Sequence, residues 1–271
     1  MKLLKNNLDY NNYYSDTDYI SNSMLNHISV SPEYFRFRQD NPQPATPAMK
    51  LGSAIHMDIL QPGEFLNHYA ISPKFDKRTK KGKEDFAEFT KNNMFKTVIS
   101  ESDYELITEI SLKVFKDSLV KDLLKNGEPE KIIQWNNKNY DVNCKGMLDY
   151  YRKSADMIVD LKTTQDASYN GFMRSVIKYK YHKQAAFYLD AVQATRFIII
   201  AVEKTPPFSI NVFELGDDMI DGGRDMYNHE LEIYKYCEEN DYWPGAGFDP
   251  LDKKSERTIH ILGNYDEVHE I

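Results

Sequence analysis

The chain has 271 residues, 41% of them hydrophobic, and its 42 acidic and 34 basic side chains give a formal net charge of −8. This balance excludes a protein coated in positive charge for bulk binding of nucleic acid. The two cysteines, Cys144 and Cys237, lack the spacing of a zinc site or an iron–sulfur cluster. No apolar run reaches the roughly 20 residues of a membrane-spanning helix, and residues 1–14 lack the apolar centre of a signal peptide. We therefore expect a cytoplasmic protein with no membrane partner.

The N-terminal half carries mainly helical patterns. Residues 1–19 are rich in Asn, Tyr and Asp without an apolar stripe, which predicts an extended or disordered arm. One domain is expected over residues 20–271, and its first part, residues 20–128, is predicted to be helical. It opens with a Ser-capped helix and includes a helix over about residues 48–60, which ends at a Pro-Gly pair. His56 lies on that helix, one turn after Gly52.

From residue 130 the period of the apolar residues changes from about 3.6 to 2, which indicates strands. A sheet core is predicted over residues 129–216, followed by a C-terminal helix and tail over residues 217–271. The predicted elements follow the order helices, three strands, a helix, two strands and a helix. This order predicts an α/β fold with a mixed central sheet flanked by helices. The expected elements are strands over residues 131–136, 140–151 and 157–163, a helix over 178–192, strands over 196–202 and 208–215, and a helix over 217–238.

Two acids and a lysine lie on the polar faces of the second and third predicted strands. Alternation of side chains puts Asp149 on one such face, and Asp160 and Lys162 on the face opposite Val159 and Leu161. A turn over residues 152–155 makes Asp160 the diagonal neighbour of Asp149, at about 7 to 8 Å between α-carbons. Two carboxylates at that separation can hold one hard cation between them. The same pattern also fits an exposed ladder of ion pairs, since surface strands often carry acids and lysines.

Several motifs favour the first interpretation, because they occur in the order of a known family. The segment GMLDYYRKSADMIVDLKTT resembles the core of the PD-(D/E)XK nuclease superfamily, with Asp149 as the first acid and residues 160–162 as the D-x-K element. LGSAIH, which ends at His56, resembles its upstream helix, and QAAFY, which begins at Gln184, resembles the Q-x-x-x-Y motif of the RecB-like branch. Together they are most similar to the RecE-type (exodeoxyribonuclease VIII-like) domain. The resemblance spans about residues 19–216.

The resemblance implies a site that holds Mg²⁺, with Mn²⁺ as a possible substitute. Its ligands would be the side chains of His56, Asp149 and Asp160 and the carbonyl of Leu161, while Lys162 would position or deprotonate the attacking water. Gln184 and Tyr188, four residues apart and hence on one helical face, would complete the catalytic group. An aspartate precedes the lysine here where glutamate is more frequent in the superfamily, and either carboxylate can ligate magnesium.

DNA contacts are expected from two segments. A basic run occupies residues 74–83, and a run of this kind binds phosphates without reading bases, although it is equally typical of a solvated loop. Thr163 and Thr164 follow the D-x-K element and can donate hydrogen bonds nearby. The candidates in the basic run are Lys77, Arg78, Lys80, Lys81 and Lys83.

RecE-type domains degrade linear double-stranded DNA from its 5′ ends and leave single-stranded overhangs for recombination. The resemblance therefore implies DNA ends as substrate, a ring-shaped homo-oligomer, a single-strand annealing protein as partner, and a bacterial or phage-infected cell as host. An endonuclease or a single-strand-specific nuclease of the same fold is a second interpretation, and an inactive DNA-binding scaffold is a third. A small-molecule enzyme is disfavoured, because the chain has neither a Gly-rich phosphate loop nor a nucleophile elbow.

Overall fold

The computed structural model describes residues 2–4 and 10–257, and the first half of this range is mainly helical. Ser and Thr side chains cap five of its helices, and Ser21 caps the first of them as the sequence predicts. In chain order the elements are β1 (Lys2–Leu3), α1 (Tyr10–Tyr13), α2 (Asn22–Ile28), α3 (Pro32–Asp40), α4 (Pro47–Leu60), α5 (Phe65–His68), β2 (Tyr69–Ser72), α6 (Lys80–Asn92), β3 (Thr97–Ser100), α7 (Glu101–Lys116) and α8 (Ser118–Leu123).

The second half supplies the main strands and the helices that cover them. None of the described helices is both long enough and apolar enough to cross a membrane. The elements are β4 (Glu128–Asn137), β5 (Val142–Arg152), β6 (Met157–Thr164), α9 (Tyr169–Lys178), α10 (Tyr181–Val192), β7 (Arg196–Glu203), β8 (Ile210–Glu214) and α11 (Asp217–Asn240).

These strands form a mixed sheet in the order β1-β4-β5-β6-β7-β8. The pair β6 and β7 is parallel, and the other neighbours are antiparallel. Helices α10 and α11 pack on one face through residues such as Phe187 and Leu231, and α4 and α7 cover the other through Ile55 and Ile107. The expected α/β fold, a mixed central sheet flanked by helices, is confirmed.

A second, two-stranded sheet was not expected from the sequence. Strands β2 and β3 pair in parallel within the part predicted to be helical. Each has four residues and is flanked by helices. A run this short does not establish a period of 2, so the helical pattern of its neighbours dominates the sequence signal.

The N-terminal arm also differs from the expectation where it is described. Lys2–Leu3 is extended but pairs with β4 as an edge strand, and Tyr10–Tyr13 is helical. Lys145, which is buried in β5, donates hydrogen bonds of 2.6 Å to the backbone carbonyls of Tyr13 and Asp16. A buried ammonium needs such acceptors, and this requirement holds the arm against the sheet. Residues 5–9 of the arm and residues 258–271 of the predicted tail lie outside the described residues.

The hairpin between β5 and β6 has a register different from the one predicted. A turn over residues 152–155 would place Tyr151 opposite Asp156, but Tyr151 is opposite Ile158 and Arg152 is opposite Met157. The turn occupies residues 153–156 instead of 152–155, because Lys153–Ala155 form a single 3₁₀ turn and Asp156 adopts a left-handed conformation with φ of 53°. Asp149 is consequently aligned with Asp160 itself and not diagonal to it.

An ion pair joins α10 to α11 inside the core. Lys183 is fully buried and donates a hydrogen bond to Glu230, which is also buried. Burial lowers the pKa of Lys183 to about 8 and raises the pKa of Glu230. Each charge therefore depends on the other for compensation.

Replacing Glu230 by alanine is expected to lower the free energy of unfolding by about 3 to 5 kcal/mol, because it leaves Lys183 buried without its partner. Urea unfolding followed by circular dichroism measures this change. The double variant Lys183→Met/Glu230→Leu should regain most of the loss, since it removes both charges. A single Glu230→Ala variant as stable as the wild type would show that Lys183 finds other compensation.

Candidate active site

The centre of the site is the point where β5 and β6 stop pairing through their backbones. Their described ladder ends at Tyr150 opposite Val159. One residue further, the backbone N–H of Leu161 donates to Oδ2 of Asp149 at 2.8 Å. The Asp149 carboxylate thus replaces a backbone acceptor, which fixes its position beside β6 and leaves its other oxygen for another partner.

Asp160 and Lys162 project from the same face of β6 because they are two residues apart. Lys162 Nζ donates to Oδ1 of Asp160 at 3.0 Å and lies 2.8 Å from Oδ2. Only 2% of the Asp160 side chain and 17% of the Lys162 side chain are exposed. Lys162 Nζ also lies 4.8 Å from the ring centroid of Tyr181 on α10, so a cation–π contact adds to the ion pair.

His56 enters the site from the opposite side, on α4. Its Nδ1 lies 3.4 Å from Oδ2 of Asp149, and the imidazole is 23% exposed. Burial and the nearby Lys162 lower the pKa of His56 to about 4, so the ring is neutral at physiological pH. A neutral imidazole offers a nitrogen lone pair to a metal ion.

Glu130 is a third acid at the site, and sequence reasoning missed it. The ligand atoms of His56, Glu130 and Asp149 lie within 4.8 Å of one another. Glu130 interrupts the ladder between β4 and β5: its neighbours Pro129 and Lys131 pair with β5, while Glu130 has a φ of 47°. The sequence could have indicated Glu130 only through its position opposite Asp149 in the β4–β5 hairpin. Finding that position requires the pairing register of β4 with β5.

Burial shifts the titration of all three acids in the same direction. It raises the pKa of Asp160 to about 6 despite Lys162, and it raises the pKa of Asp149. Burial, with Asp149 and Asp160 nearby, raises the pKa of Glu130 to about 8. Burial alone would lower the pKa of Lys162, but Asp160 and Asp149 outweigh it and raise that pKa. Three crowded carboxyls therefore face one ammonium.

This donor set fits a divalent cation. Carboxylate oxygens are the ligands that Mg²⁺ prefers, and one imidazole suits Mn²⁺ as well. A bound cation would compensate the repulsion that raises the carboxyl pKa values. His56, Glu130 and Asp149 form a compact group that could hold a metal ion, whereas Asp160 lies outside this group of three and is paired with Lys162. Leu161 adjoins the group through its backbone, by the N–H that Asp149 accepts.

Gln184 and Tyr188 lie on α10, which packs against the middle of β5 through Tyr188. Their side chains are hydrogen-bonded, and burial raises the pKa of Tyr188 to about 12. The Tyr188 ring packs on Gly146, where an added Cβ would lie only 2.7 Å from its Cε1. A larger residue at position 146 would push the ring away. The structure thus places Tyr188 within the electrostatic reach of Asp149, Asp160 and Lys162.

The basic run is placed elsewhere. No hydrogen bond or ion pair of the described residues joins it to Asp149, Asp160 or Glu130. Arg78 is paired with Asp76 at 2.9 Å, Lys80 lies 3.9 Å from Glu84, and Lys77 Nζ sits 3.4 Å from the ring centroid of Phe86. These residues, together with Lys81 and Lys83, are exposed in the loop before α6 and on its first turns.

The two threonines after the lysine are near the site, at the end of β6. Thr163 is half-buried and Thr164 is buried. The Thr164 hydroxyl donates to the backbone carbonyl of Asp166 at 3.1 Å and accepts from its N–H at 3.3 Å, so local bonds occupy it. Both residues line a polar groove whose wall also includes Tyr181, the residue that Lys162 contacts.

Comparison with known proteins identifies the fold. A crystal structure of a "Putative exonuclease" from Eubacterium rectale is similar over 98% of this chain and 99% of its own, with a TM-score of 0.64 and 16% identity. A phage-related exonuclease from Haemophilus somnus 129PT matches over 70% of this chain and 95% of its own, with a TM-score of 0.36 and 14% identity. The first likeness establishes the fold, and the second is partial. Curated proteins give no significant match.

A family model matches residues 21–247, which include every residue of the site described above. The family is described as a "PDDEXK-like domain of unknown function (DUF3799)". With the carboxylates and the lysine assembled at the end of β5 and β6, this match supports a nuclease function. The chain belongs to this family of PDDEXK-like domains and thereby to the PD-(D/E)XK superfamily.

Proposed function

We propose that the protein is a magnesium-dependent 5′ to 3′ exodeoxyribonuclease of the RecE type, which degrades linear double-stranded DNA to single-stranded overhangs. The observation that carries this proposal is the convergence of Asp149, Asp160 and Lys162 at the point where β5 and β6 separate. Such a crowded acid group costs stability unless a ligand compensates it, which is typical of a functional site. The RecE-type resemblance supplies the substrate and the polarity.

His56, Glu130, Asp149 and Asp160 would hold the cation, together with the carbonyl of Leu161. When bound, a divalent cation activates water and neutralises charge on the phosphorane-like transition state. The ammonium of Lys162 has a raised pKa and so keeps its proton at neutral pH. This favours a role in which Lys162 Nζ donates to the attacking water or to a phosphate oxygen, over a role as general base. By the resemblance, Gln184 and Tyr188 would donate hydrogen bonds to the DNA backbone.

The same proposal includes the biological setting. By its resemblance, the nuclease would act in the cytoplasm of a bacterial or phage-infected cell, as a ring-shaped homo-oligomer with a single-strand annealing protein. Lys77, Arg78, Lys80, Lys81 and Lys83 would contact phosphates from the exposed α6 region, and Thr163 and Thr164 would act closer to the scissile bond.

Linear and circular DNA distinguish an exonuclease from an endonuclease. With Mg²⁺, linear duplex is expected to be degraded at least about 100-fold faster than the same sequence as a covalently closed circle, because a closed circle offers no end. Gel analysis of both forms, with a 5′-labelled linear duplex to report polarity, measures this. Equal rates would establish an endonuclease, and a duplex that is shifted on a gel but never cut would favour the inactive scaffold.

Metal binding is expected to strengthen as the pH rises from 6 to 8. The carboxyls of Asp160 and Glu130, with pKa values of about 6 and 8, keep their protons below these values, and a cation must displace them. Each displaced proton changes the affinity by up to about tenfold per pH unit. Titration calorimetry with Mn²⁺ measures the slope. Glu130→Gln should reduce the slope of Mn²⁺ affinity against pH between pH 7 and 8. An unchanged slope would show that Glu130 is not a metal ligand.

A further inference from the structure

A polar groove of about 570 Å³ runs along the end of β6 and the C-terminal part of α9, and its wall includes Tyr181, the ring that the catalytic lysine contacts. Its walls include Thr163 and Thr164, the cations Arg174, Lys178 and Lys204, and Tyr179 and Tyr181. The acid among its lining residues is Asp166, which already accepts the backbone N–H of Ser168 at 2.8 Å. The groove is therefore positive, although the chain as a whole is negative.

Two tyrosines connect this groove to the active site. Lys162 Nζ lies 4.8 Å from the ring centroid of Tyr181, and the rings of Tyr181 and Tyr179 are stacked at 5.7 Å with an interplanar angle of 28°. Tyr179 is 54% exposed, so part of its ring faces solvent. Lys162 Nζ and the rings of Tyr181 and Tyr179 thus form a row that ends at the exposed ring of Tyr179. A base stacked on Tyr179 would extend this row by one ring.

Two cations of the groove, Arg174 and Lys178, are weakly held by the protein. Arg174 is exposed, and its Nη2 lies 4.0 Å from Oδ2 of Asp166, at the limit of an ion pair. Lys178 Nζ lies 5.4 Å from the ring centroid of Tyr179. Exposed cations beside an exposed aromatic ring are the chemistry that recognises a single strand, with phosphates on the cations and a base on the ring.

A duplex would not satisfy the same surface. In double-stranded DNA each base is stacked between its neighbours, and an exposed tyrosine cannot reach its face without unstacking it. We propose that this groove binds unpaired nucleotides of the strand being cut, with Tyr179 as the stacking platform and Arg174, Lys178 and Lys204 as phosphate contacts. The inference rests on the proposed nuclease function, and it specifies the form of the substrate: a duplex whose end is frayed at the active site.

Binding to two DNA ends tests the groove without turnover. The probes are a fluorescent duplex with one blunt end and the same duplex with four unpaired nucleotides at that end, each with its other end closed by a hairpin. Fluorescence anisotropy in EDTA gives the Kd for both. The wild type is expected to bind the frayed probe more tightly. Tyr179→Ala should weaken binding of the frayed probe roughly 5- to 150-fold, the value of one base stacked on an aromatic ring, with little change for the blunt probe.

Matched variants separate stacking from general damage. Tyr179→Phe keeps the ring and should bind as the wild type does. Tyr169→Ala removes the exposed tyrosine at the other end of α9, which lies near Phe213 and outside the groove, and should change neither Kd. Arg174→Gln/Lys204→Gln should reduce the slope of log Kd against log salt by about 0.7 for each lost phosphate contact.

Cleavage of blunt linear duplex with Mg²⁺, measured in parallel, keeps the two claims apart. If the wild type cleaves but Tyr179→Ala binds both probes as the wild type does, the groove inference is wrong and the nuclease stands. If Tyr169→Ala weakens binding of the frayed probe as much as Tyr179→Ala does, the proposed stacking role of Tyr179 is also wrong. If no DNA is cleaved while the preference for the frayed probe depends on Tyr179, the nuclease proposal fails and the single-strand groove remains.

Discussion

Replacing Lys162 by methionine is expected to reduce magnesium-dependent DNA cleavage by about 10²- to 10³-fold or more, the usual cost of losing one preorganised charge at a developing anion. Methionine keeps most of the length of the side chain and its contact with Tyr181, so the change removes mainly the ammonium. Metal affinity should stay the same or rise, because a positive charge next to Asp160 is gone. Single-turnover cleavage and Mn²⁺ calorimetry measure the two effects.

A lysine outside the site serves as the control. Lys121 is exposed on α8, near Arg152 at the opposite end of the β5–β6 hairpin, where Arg152 bonds the carbonyl of Asp122. Lys121→Met should cleave as the wild type does. Wild-type cleavage by Lys162→Met would exclude the role in catalysis that we assign to this lysine.

Replacing Asp149 by asparagine is expected to weaken metal binding by about 100-fold or more and to reduce cleavage by at least about 10³-fold. Asparagine retains an oxygen that can accept the Leu161 N–H, so the local fold is kept. The negative charge beside His56 is lost. Burial raises the pKa of Asp149, which means that its charged form is disfavoured in the metal-free protein. The metal-free variant should therefore be at least as stable as the wild type towards urea.

This combination of lost function and retained stability distinguishes a metal ligand from a structural residue. Asp122→Asn, a change of the same type at an exposed aspartate beside Lys125, is the matched control and should alter neither property. An Asp149→Asn protein that binds Mn²⁺ normally, or that loses several kcal/mol of stability, would show that Asp149 has a structural role instead.

The sequence predicted the parts of the site that depend on local geometry. Asp160 and Lys162 are two residues apart on a strand, so alternation alone puts them on one face. Gln184 and Tyr188 share a helical face for the same kind of reason. Ser21 and Ser31 begin helices because their hydroxyls accept the N–H groups that a helix leaves free.

The parts that depend on distant contacts were not predictable from periodicity. Glu130 reaches the site only because Asn137 is opposite Val142 in the β4–β5 hairpin, and the turn residues alone did not determine that register. The same cause explains the error at the next hairpin, where a left-handed Asp156 moves the turn by one residue. His56 is brought to Asp149 by the packing of α4 on the sheet, which only the family resemblance suggested.

Asp149, Asp160, Glu130 and Lys162 would together form a metal-dependent nuclease centre. Its most direct test is the cleavage of end-labelled linear duplex by the wild type and by Asp160→Asn, each with Mg²⁺ and with EDTA. We expect degradation by the wild type only with Mg²⁺. The Asp160→Asn protein should fold, but its rate of cleavage with Mg²⁺ should be lower by about 10²-fold or more. Equal cleavage by both proteins, or cleavage that persists in EDTA, would contradict it.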